Sequence, residues 1–262
     1  MIAYYETRDR DFTARRGKRL HCPAHLHPHL ELVVFCGGRS TAFADTERCE
    51  LEPGDIFLTF PSQIHSYETT CEEDFYLLIV DPELLPELSS YFNGTLPTSA
   101  LLKGAAADPE ILQLVLWLLE GERSSTPLER TVRRGHLLAL FAKLLSLYSF
   151  SDVPHQSSNA FRAVVEYCTK NYAGELSLSV LERELHISKY YISHLFAEKL
   201  KIGFNDYVNS LRVSHACRFL RHSEYSVTEI SSMVGFSTLR TFNRAFLKQM
   251  HKTPTDYRKN NL

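Results

Sequence analysis

The chain has 262 residues, of which 44% are hydrophobic and 23% are charged, a composition typical of a globular protein with room for two domains. Its net charge of −2 averages two unlike halves: residues 160–262 hold 15 Lys and Arg against 9 Asp and Glu (+6), and residues 1–159 hold 14 against 22 (−8). We expect a cytoplasmic protein without a membrane partner, because no apolar run approaches membrane-spanning length and the first residues do not form a basic segment followed by an apolar one.

The first part of the chain carries short β-rich runs. They include Leu30–Phe35, Asp55–Phe60 and Phe75–Val80, and turn signals such as Gly37–Gly38 separate them. Several short strands with regular turns predict a sandwich or barrel.

Histidine and glutamate recur beside the first of these runs. His25, His27 and Glu31 have the parity of alternate strand residues, so they could point into a barrel together, with His65 arriving from a later strand. Three imidazoles and one carboxylate suit a mononuclear site for Zn, Fe, Ni or Mn. The same four side chains could instead line a small-molecule pocket. His29 shares their parity, and we expect it at the rim.

This segment resembles a cupin-type jelly roll. The residues that carry the resemblance are His25, His27, Glu31, Gly38, Pro53–Asp55, Phe57, Pro61 and His65, although Pro61 to His65 is one residue short. The resemblance implies a sensor barrel over residues 1–82. Regulatory proteins with such barrels more often bind a small molecule there than a metal, so we expect no cofactor and keep a divalent metal as the alternative.

After Val80 the pattern becomes helical. Residues 110–120 are apolar nearly all round, which predicts burial on more than one side. The run Leu128–Tyr148 has one broad apolar face, formed by Leu137, Leu138, Phe141, Leu144, Leu145 and Tyr148. We assign residues 83–148 to a helical extension, whose helices could simply pack on the barrel or also pair with their copies in a dimer. The polar, proline-broken residues 149–158 are the best candidate for a linker.

The last hundred residues contain one pattern twice. Ser177, Leu181, Leu185 and Ile187 recur 49 residues later as Ser226, Ile230, Val234 and Phe236, and Ile192 and Phe196 recur 50 residues later as Phe242 and Phe246. Each copy has the form of a helix-turn-helix, in which a serine caps a short helix and a turn leads to a longer one. The apolar positions of the longer helix fall three and four apart, so its other face is polar and free to meet a partner.

A predicted helix, Phe204–Leu220, would join the two copies and span roughly 25 Å. With the run Ile230–Ser237 and the ending Thr253–Arg258, the tandem resembles the DNA-binding domain of the AraC/XylS family of bacterial transcription regulators. The resemblance implies an α+β multidomain protein. Its N-terminal half would be a cupin-like barrel with dimerisation helices, and residues 159–262 would be an all-α domain with two helix-turn-helix motifs joined by a long helix.

The family's contact positions, carried over residue by residue, give a candidate DNA-binding set. Its members are Ser188, Lys189, Tyr190, Ser193, His194, Thr238, Leu239, Arg240, Thr241, Asn243 and Arg244. Ser188 and Thr238 are expected to cap their helices, so that backbone donors face phosphate. Arg240 and Arg244 suit guanine or phosphate, and Asn243 suits adenine. The positive charge of this half is what phosphate contact requires.

The first copy departs from the family pattern. Glu182 stands where the family usually has a small alanine, whereas Ser231 keeps the second copy small, and His186 and His251 replace glycines. Because a charged side chain cannot be buried without a partner, we expect the first unit to pack more loosely or to tilt.

The resemblance implies a homodimeric regulator, more often an activator, that binds double-stranded DNA, responds to a small-molecule effector such as a sugar, and can contact RNA polymerase. The effector would change which half-sites the two DNA-binding domains reach together. An enzyme is not expected, because the sequence has no nucleophile elbow, phosphate-cradling glycine loop or His-Glu-x-x-His motif. The alternative is a metal-binding cupin sensor or enzyme fused to a DNA-binding domain.

Overall fold

The computed structural model describes residues 4–6, 10–45, 47–69, 71–92, 97–121, 126–150, 156–200 and 202–259. The chain divides into two compact units, residues 11–154, and residues 155–262 together with the first ten. Residues 151–155 of the predicted linker lie outside the described residues, and a helix already begins at Gln156. Within the described ranges, none of the helices combines the length and apolar character needed to cross a membrane.

The first unit is built from short strands followed by helices. A two-residue strand, β1 (Tyr4–Tyr5), precedes it. Its strands are β2 (Phe12–Gly17), β3 (Cys22–Leu26), β4 (Leu30–Gly37), β5 (Ser40–Ala44), β6 (Glu47–Leu51), β7 (Ile56–Thr59), β8 (His65–Glu68), β9 (Asp74–Val80) and β10 (Leu101–Leu102). Its α-helices are α1 (Ser89–Phe92), α2 (Pro109–Glu120) and α3 (Pro127–Leu147), and short 3-10 helices occupy Pro82–Leu84, Pro86–Leu88 and Ala105–Ala107.

The strands form two antiparallel sheets within the described residues. One has the order β3-β8-β5-β6, and the other has the order β10-β7-β4-β9-β2. Successive side chains of a strand point to opposite faces, so β4 contributes to two cores. Leu32 and Val34 pack with α2 and α3, whereas Val33 and Phe35 pack between the sheets. The second sheet is therefore the middle layer of a cupin-like domain, as predicted.

Strand β10 comes from the segment that the sequence assigns to the helical extension. It pairs with β7, with Leu101 opposite Phe57. The Glu47 carboxylate accepts the backbone N–H of Ala100 at 2.8 Å, and the Asp55 carboxylate accepts that of Gly104 at 2.9 Å. The sheet therefore extends beyond residue 82, the end predicted for the barrel.

Helix α2 begins at an Asp108 cap and buries one face, formed by Ile111, Leu114, Val115 and Leu118. On another side Trp117 is 44% exposed and stacks on His136 of α3, with 4.9 Å between ring centroids. The prediction of burial on more than one side is therefore wrong for the single chain, because α3 and the sheet cover one face of α2.

Helix α3 begins at a capping box formed by Thr126 and Glu129. Its buried residues all lie in its second half, and they are Leu137, Leu140, Phe141, Leu144 and Leu145. In its first half Leu128 and Val132, one turn apart, are 79% and 58% exposed. The predicted apolar face thus packs within its own unit, and the start of the helix is left uncovered.

From Gln156 onward, the regular elements of the second unit are all helices within the described residues, as predicted. Its helices are α4 (Gln156–Lys170), α5 (Leu178–Leu185), α6 (Lys189–Lys199), α7 (Phe204–His222), α8 (Val227–Met233), α9 (Leu239–Met250) and α10 (Pro254–Lys259). Helices α5 and α6 form the first helix-turn-helix, α7 is the connecting helix, and α8 and α9 form the second. Phe161, Val164, Val165 and Cys168 of α4 are buried, as the apolar stripe predicts.

The loop between α4 and α5 is fixed against the second copy. The Arg212 guanidinium on α7 donates hydrogen bonds of 2.8 Å to the backbone carbonyls of Tyr172 and Gly174. In the turn of the second copy, Gly235 has φ +89°, and a Cβ there would lie 2.7 Å from the Ala173 carbonyl oxygen. Gly235 is therefore needed both for its backbone conformation and for the close approach of this loop.

Candidate DNA interface and buried histidine cluster

Side chains cap all four helices of the tandem at their N-termini. The hydroxyls of Ser177, Ser188, Ser226 and Thr238 each accept the backbone N–H of the third residue beyond them at 3.2 Å. Glu229 completes a capping box on α8, because its carboxylate accepts the N–H of Ser226 at 2.7 Å. The predicted caps of α6 and α9 are therefore confirmed, and these helix ends present backbone donors outward.

Helix α9 buries one face and exposes the other. Phe242, Ala245 and Phe246 are buried in a core with α7 and α8. Arg240 and Arg244, one turn apart on the other face, are exposed. Asn243 is exposed as well, and Leu239 is 39% exposed.

Thr241 differs from the other predicted contacts of α9 because it is half-buried. Its hydroxyl donates to the backbone carbonyl of Thr238 at 2.8 Å, and its N–H is the one that the Thr238 side chain caps. Thr241 thus takes part in closing the first turn of α9, and its hydroxyl already has a partner within the helix.

Helix α6 repeats this division. Ile192, Leu195 and Phe196 are buried, and the exposed predicted contacts are Lys189, Tyr190, Ser193 and His194. Tyr190 is 82% exposed. His194 Nε2 lies 3.0 Å from a carboxylate oxygen of Glu198, so part of this face is occupied by an ion pair whenever the imidazole is protonated.

Glu182 has a partner that the sequence does not reveal. Its carboxylate accepts the backbone N–H of Lys189, the first residue of α6, at 3.0 Å, and the side chain is half-buried. Loose or tilted packing was expected on the premise that a buried charge at Glu182 would have no partner. The carboxylate instead has a partner and lies at a helix N-terminus, where an anion is favoured. The two histidines that replace glycines, His186 and His251, adopt left-handed conformations with φ of 56° and 54°.

A cleft of about 1040 Å³ lies beside α9 within the second unit. Asn205 and Asn209 of α7 line it together with Arg244 and Lys248. Lys248 forms a 2.8 Å ion pair with Asp206 across this wall. The two asparagines were not predicted from the sequence, although their spacing of one helical turn at the start of α7 is a signal that could have identified them.

All four predicted effector-site residues converge in the first unit. His25, His27, Glu31 and His65 are 1–3% exposed, and their nearest ligand atoms all lie within 4.8 Å of one another. His25 and His65 stand opposite each other on β3 and β8 of one sheet, with 4.1 Å between ring centroids, whereas Glu31 comes from β4 of the other sheet. The cluster therefore joins both sheets.

Backbone carbonyls fix the tautomers of two histidines. Nδ1 of His25 lies 2.9 Å from the Pro23 carbonyl oxygen, and Nδ1 of His65 lies 2.9 Å from that of Gln63. Because a carbonyl oxygen only accepts, both Nδ1 atoms must donate. In the neutral rings, Nε2 is then the nitrogen that carries a lone pair.

Glu31 is the anion of the cluster. The Tyr67 hydroxyl donates to its Oε1 at 2.9 Å, and His27 Nε2 lies 3.2 Å from its Oε2. Burial by itself raises the pKa of Glu31, but the nearby imidazoles of His27 and His65, whose Nε2 atoms lie 3.2 and 3.6 Å from its oxygens, outweigh burial and hold that pKa well below its usual range. The carboxylate is therefore ionised among three imidazoles.

Two details of the prediction need correction. His27 was expected within a strand, yet it lies one residue beyond the end of β3 at Leu26. His29 was expected at the rim, yet it is buried at 5% exposure, with its ring centroid 5.8 Å from that of His27. The sequence does not reveal that β3 ends at Leu26 or that the His29 side chain is enclosed.

Comparison with protein families gives two matches. A model described as the AraC-like ligand binding domain matches residues 10–164, and one described as a helix-turn-helix domain matches residues 181–260. The first covers more than half of the chain. It spans the sheets and α2–α3, and the second spans both recognition helices.

Two relatives that match the chain are named as transcription regulators. The chain is 30% identical over 156 residues to an uncharacterized helix-turn-helix transcriptional regulator, YijO, of Escherichia coli, covering 59% of this chain and 55% of that protein, so the match spans about half of that relative. It is 25% identical over 256 residues to the transcriptional activator RhaR of Yersinia pseudotuberculosis, covering 89% and 83%.

Among solved structures, ToxT of Vibrio cholerae matches with a TM-score of 0.46 at 13% identity, over 95% of this chain and 98% of that one. A Listeria innocua protein of unknown function matches 38% of this chain and 96% of its own at 31% identity, with a TM-score of 0.37. From the two family matches, the chain belongs to the AraC family of transcription regulators, with an N-terminal ligand-binding domain and a C-terminal helix-turn-helix DNA-binding domain.

Proposed function

We propose that the chain is a sequence-specific transcription activator whose helices α6 and α9 enter successive major grooves of one DNA duplex. One observation carries the proposal: both helices bury the same apolar positions and expose a polar face beside them. In a helix-turn-helix, this second helix lies in the major groove, and successive grooves on one side of the duplex are roughly 34 Å apart. The connecting helix α7 would hold the two recognition helices at that spacing.

Helix α9 supplies the strongest contacts in this proposal. Arg240 and Arg244 are exposed one turn apart, and each would bind guanine O6 and N7 through its guanidinium or hold a phosphate. Asn243 would pair with adenine, and the exposed part of Leu239 would pack on a thymine methyl group. Thr241 supports this face by closing the first turn.

Helix α6 supplies contacts with less positive charge. Lys189, Tyr190, Ser193 and His194 would face the groove, and the ion pair of His194 with Glu198 weakens its attraction to DNA. Ser188 and Thr238 cap their helices, so the N–H groups at both helix starts would receive phosphates.

The ligand-binding unit would hold the effector that sets activity. In this proposal a small molecule bound by His25, His27, Glu31 and His65 changes how the N-terminal unit presents the two DNA-binding domains of a dimer, so that different half-sites become reachable together. A sugar is one candidate class for the effector. The protein would act in the cytoplasm, where the DNA lies, with RNA polymerase as a further partner, and it would catalyse no reaction.

A homodimer would form through the uncovered start of α3. Leu128 and Val132 offer an apolar stripe there, and Trp117 of α2 is 44% exposed. The second half of α3 is occupied within its own unit, so a partner helix would meet the first two turns. Sedimentation of the full chain tests this: Leu128→Asp should shift the dimer toward monomer, and an unchanged dimer would place the interface elsewhere.

The DNA-binding proposal is tested with a duplex selected by the purified full chain from a random library. Titration of this duplex and of a scrambled version, each over a range of salt, should show tighter binding of the selected sequence and a log K that falls linearly with log salt. Equal affinity for both duplexes would remove sequence-specific recognition from the proposal.

A further inference from the structure

We propose that Arg212 is a positioning residue for DNA recognition. By holding residues 171–176, which we call the bridging loop, against the second helix-turn-helix copy, it fixes the distance and angle between α6 and α9 and so sets the spacing of the two groove contacts that the protein accepts. The inference rests on the proposed function, because it requires both helices to bind one duplex. The contacts that carry it all lie within the second unit.

The connecting helix α7 by itself leaves the two copies free to rock. Near its start, the Tyr207 ring lies 4.9 Å from that of Phe196 in the first copy. Further along, Val213 and Ala216 belong to the buried core of the second copy. The copies thus pack on different stretches of one helix, which fixes their separation along its axis. A second contact between them is needed to fix the angle.

The bridging loop supplies this second contact. It follows α4, which packs on the first copy, since the ring of Phe161 lies 5.5 Å from that of Phe196. Just after α4, Tyr172 packs against the buried core of the second copy. Its ring stacks on that of His215 in α7, with 3.6 Å between centroids and 2° between planes. The loop therefore leaves the first copy, contacts the second and returns to the first at α5.

Arg212 holds the loop in this position. Its Nε donates to the carbonyl of Tyr172 and its Nη2 to that of Gly174, both at 2.8 Å. The same guanidinium lies 5.7 Å from the ring centroid of Phe236, in the turn of the second copy. Because the guanidinium is planar and rigid, two bonds from it fix the orientation of the loop as well as its distance.

The turn before α9 receives the loop closely. A Cβ on Gly235 would lie 2.7 Å from the carbonyl oxygen of Ala173 and 2.9 Å from that of Tyr172. Loop and turn therefore meet backbone to backbone, and a shift of the loop must move the turn. Since this turn leads directly into α9, the contact acts on the start of the recognition helix.

The geometry of DNA makes this rigidity relevant to recognition. Successive major grooves on one side of the duplex are roughly 34 Å apart, and one extra base pair adds roughly 3.4 Å and 35° to that relation. Two helices held at a fixed distance and angle cannot follow such a change, whereas loosely held helices can. Two linked contacts also bind most tightly when their separation matches the sites. Arg212 should therefore raise both affinity and selectivity for spacing.

The first experiment measures the distance between α6 and α9 without DNA. Nitroxide labels are placed on the full chain through unnatural amino acids at the exposed positions Ser193 and Asn243, and pulsed electron paramagnetic resonance is recorded with excess unlabelled chain. Wild type should give one narrow distance distribution, and Arg212→Ala a broader one. Arg221→Ala is the matched control and should stay narrow, because Nε of that arginine donates to Cys217 within α7.

The second experiment measures selectivity for spacing. Each protein is titrated with the selected duplex and with a copy that has one base pair inserted between the two stretches protected by α6 and α9. Insertion should weaken wild type by at least about tenfold and Arg212→Ala by less than about threefold, and Arg212→Ala should bind the original duplex about tenfold more weakly. Arg212→Lys should behave like Arg212→Ala, because a single ammonium keeps the charge but not the fork.

Circular dichroism shows whether each variant is folded, and Arg212→Lys decides if Arg212→Ala is not. The proposal is overturned if the folded variants keep the narrow distance distribution of the wild type, or if they keep its selectivity for spacing. A broadened distribution in a protein that does not distinguish the selected duplex from its scrambled version would refute the proposed function alone. Sequence-specific binding with unchanged distances would refute the role of Arg212 alone.

Discussion

The two helix-turn-helix copies share a scaffold and differ in charge. Both recognition helices start at a side-chain cap and bury a phenylalanine at the equivalent position, Phe196 and Phe246. The exposed face of α9 carries Arg240 and Arg244, whereas that of α6 carries a histidine paired with Glu198. The pattern that folds each unit is thus independent of the residues that face a partner, and affinity for DNA should concentrate in the second copy.

The turns of the two copies differ as well. Gly235 takes φ +89° in the second, and in the first His186 takes φ +56°, a conformation that costs an L residue more than it costs glycine. Around Gly235 the carbonyl of Ala173 leaves no room for a side chain. The first turn is therefore strained, but its central residue can be substituted, whereas the position of Gly235 in the second turn accepts only glycine.

The largest effect should come from the shared scaffold. Phe196→Ala and Phe246→Ala should each lower the free energy of unfolding by about 3–5 kcal/mol, because both rings are fully buried. Native-state hydrogen exchange of the full chain would report each copy separately. If only one of the two substitutions lowered the free energy of unfolding, the two copies would not be equivalent scaffolds.

Arg244→Ala tests the difference in charge. Removing this guanidinium should weaken binding to the selected duplex by about 1–3 kcal/mol, and it should reduce the salt slope by about one if Arg244 binds a phosphate. His194→Ala should have a smaller effect. Arg48→Ala, which removes an exposed arginine from the first unit, is the charge-matched control. Unchanged affinity in Arg244→Ala would remove α9 as the main source of binding energy.

The turns should respond to substitution in opposite directions. Gly235→Ala should destabilise the second unit by at least about 1–2 kcal/mol, since it adds left-handed strain, and the new Cβ would also clash with the loop. His186→Gly should stabilise the first copy by up to about 1 kcal/mol because that strain is relieved. Chemical denaturation followed by helical circular dichroism measures both. A destabilised His186→Gly would mean that the imidazole makes contacts that outweigh its strain.

The smallest effect should come from Glu182. Glu182→Ala removes the acceptor at the start of α6 and should cost about 0.3–1 kcal/mol of stability. Glu184→Ala, which removes a neighbouring acid paired with Arg183, serves as the control. Equal costs in the two variants, measured by denaturation, would mean that the hydrogen bond to Lys189 adds nothing specific.

Features encoded by nearby residues were predictable from the sequence. The caps at Ser177 and Ser226, the repeat of the helix-turn-helix and the burial of β4 all follow from spacings of two to four residues. The convergence of the four cluster residues was also predicted, although β3 ends one residue before His27. What the sequence did not indicate depends on residues far apart in the chain, such as the pairing of Leu101 with Phe57.

Side-chain partners could not be predicted from the sequence either. The Glu182 carboxylate is paired because it accepts the N–H of Lys189, seven residues away across a turn. The sequence alone does not show that these two groups come within hydrogen-bond distance. The exposed side of α2 could not be predicted for the same reason. An apolar sequence does not show how many neighbouring elements will cover the helix. Helix α2 buries one face against α3 and the sheet, whereas Trp117 is 44% exposed and touches α3 through the ring of His136.

Strand β10 makes α2 and α3 part of one cooperative folding unit with the sheet. A fragment that ended at residue 82 would lose this strand and expose the backbone edge of β7, and unpaired edges of this kind promote aggregation. It would also uncover the apolar face of β4 that the helices protect. We therefore expect that the helices cannot be transferred between relatives as an independent module. Their backbone amides should be protected from hydrogen exchange to a similar degree as those of the strands that they cover.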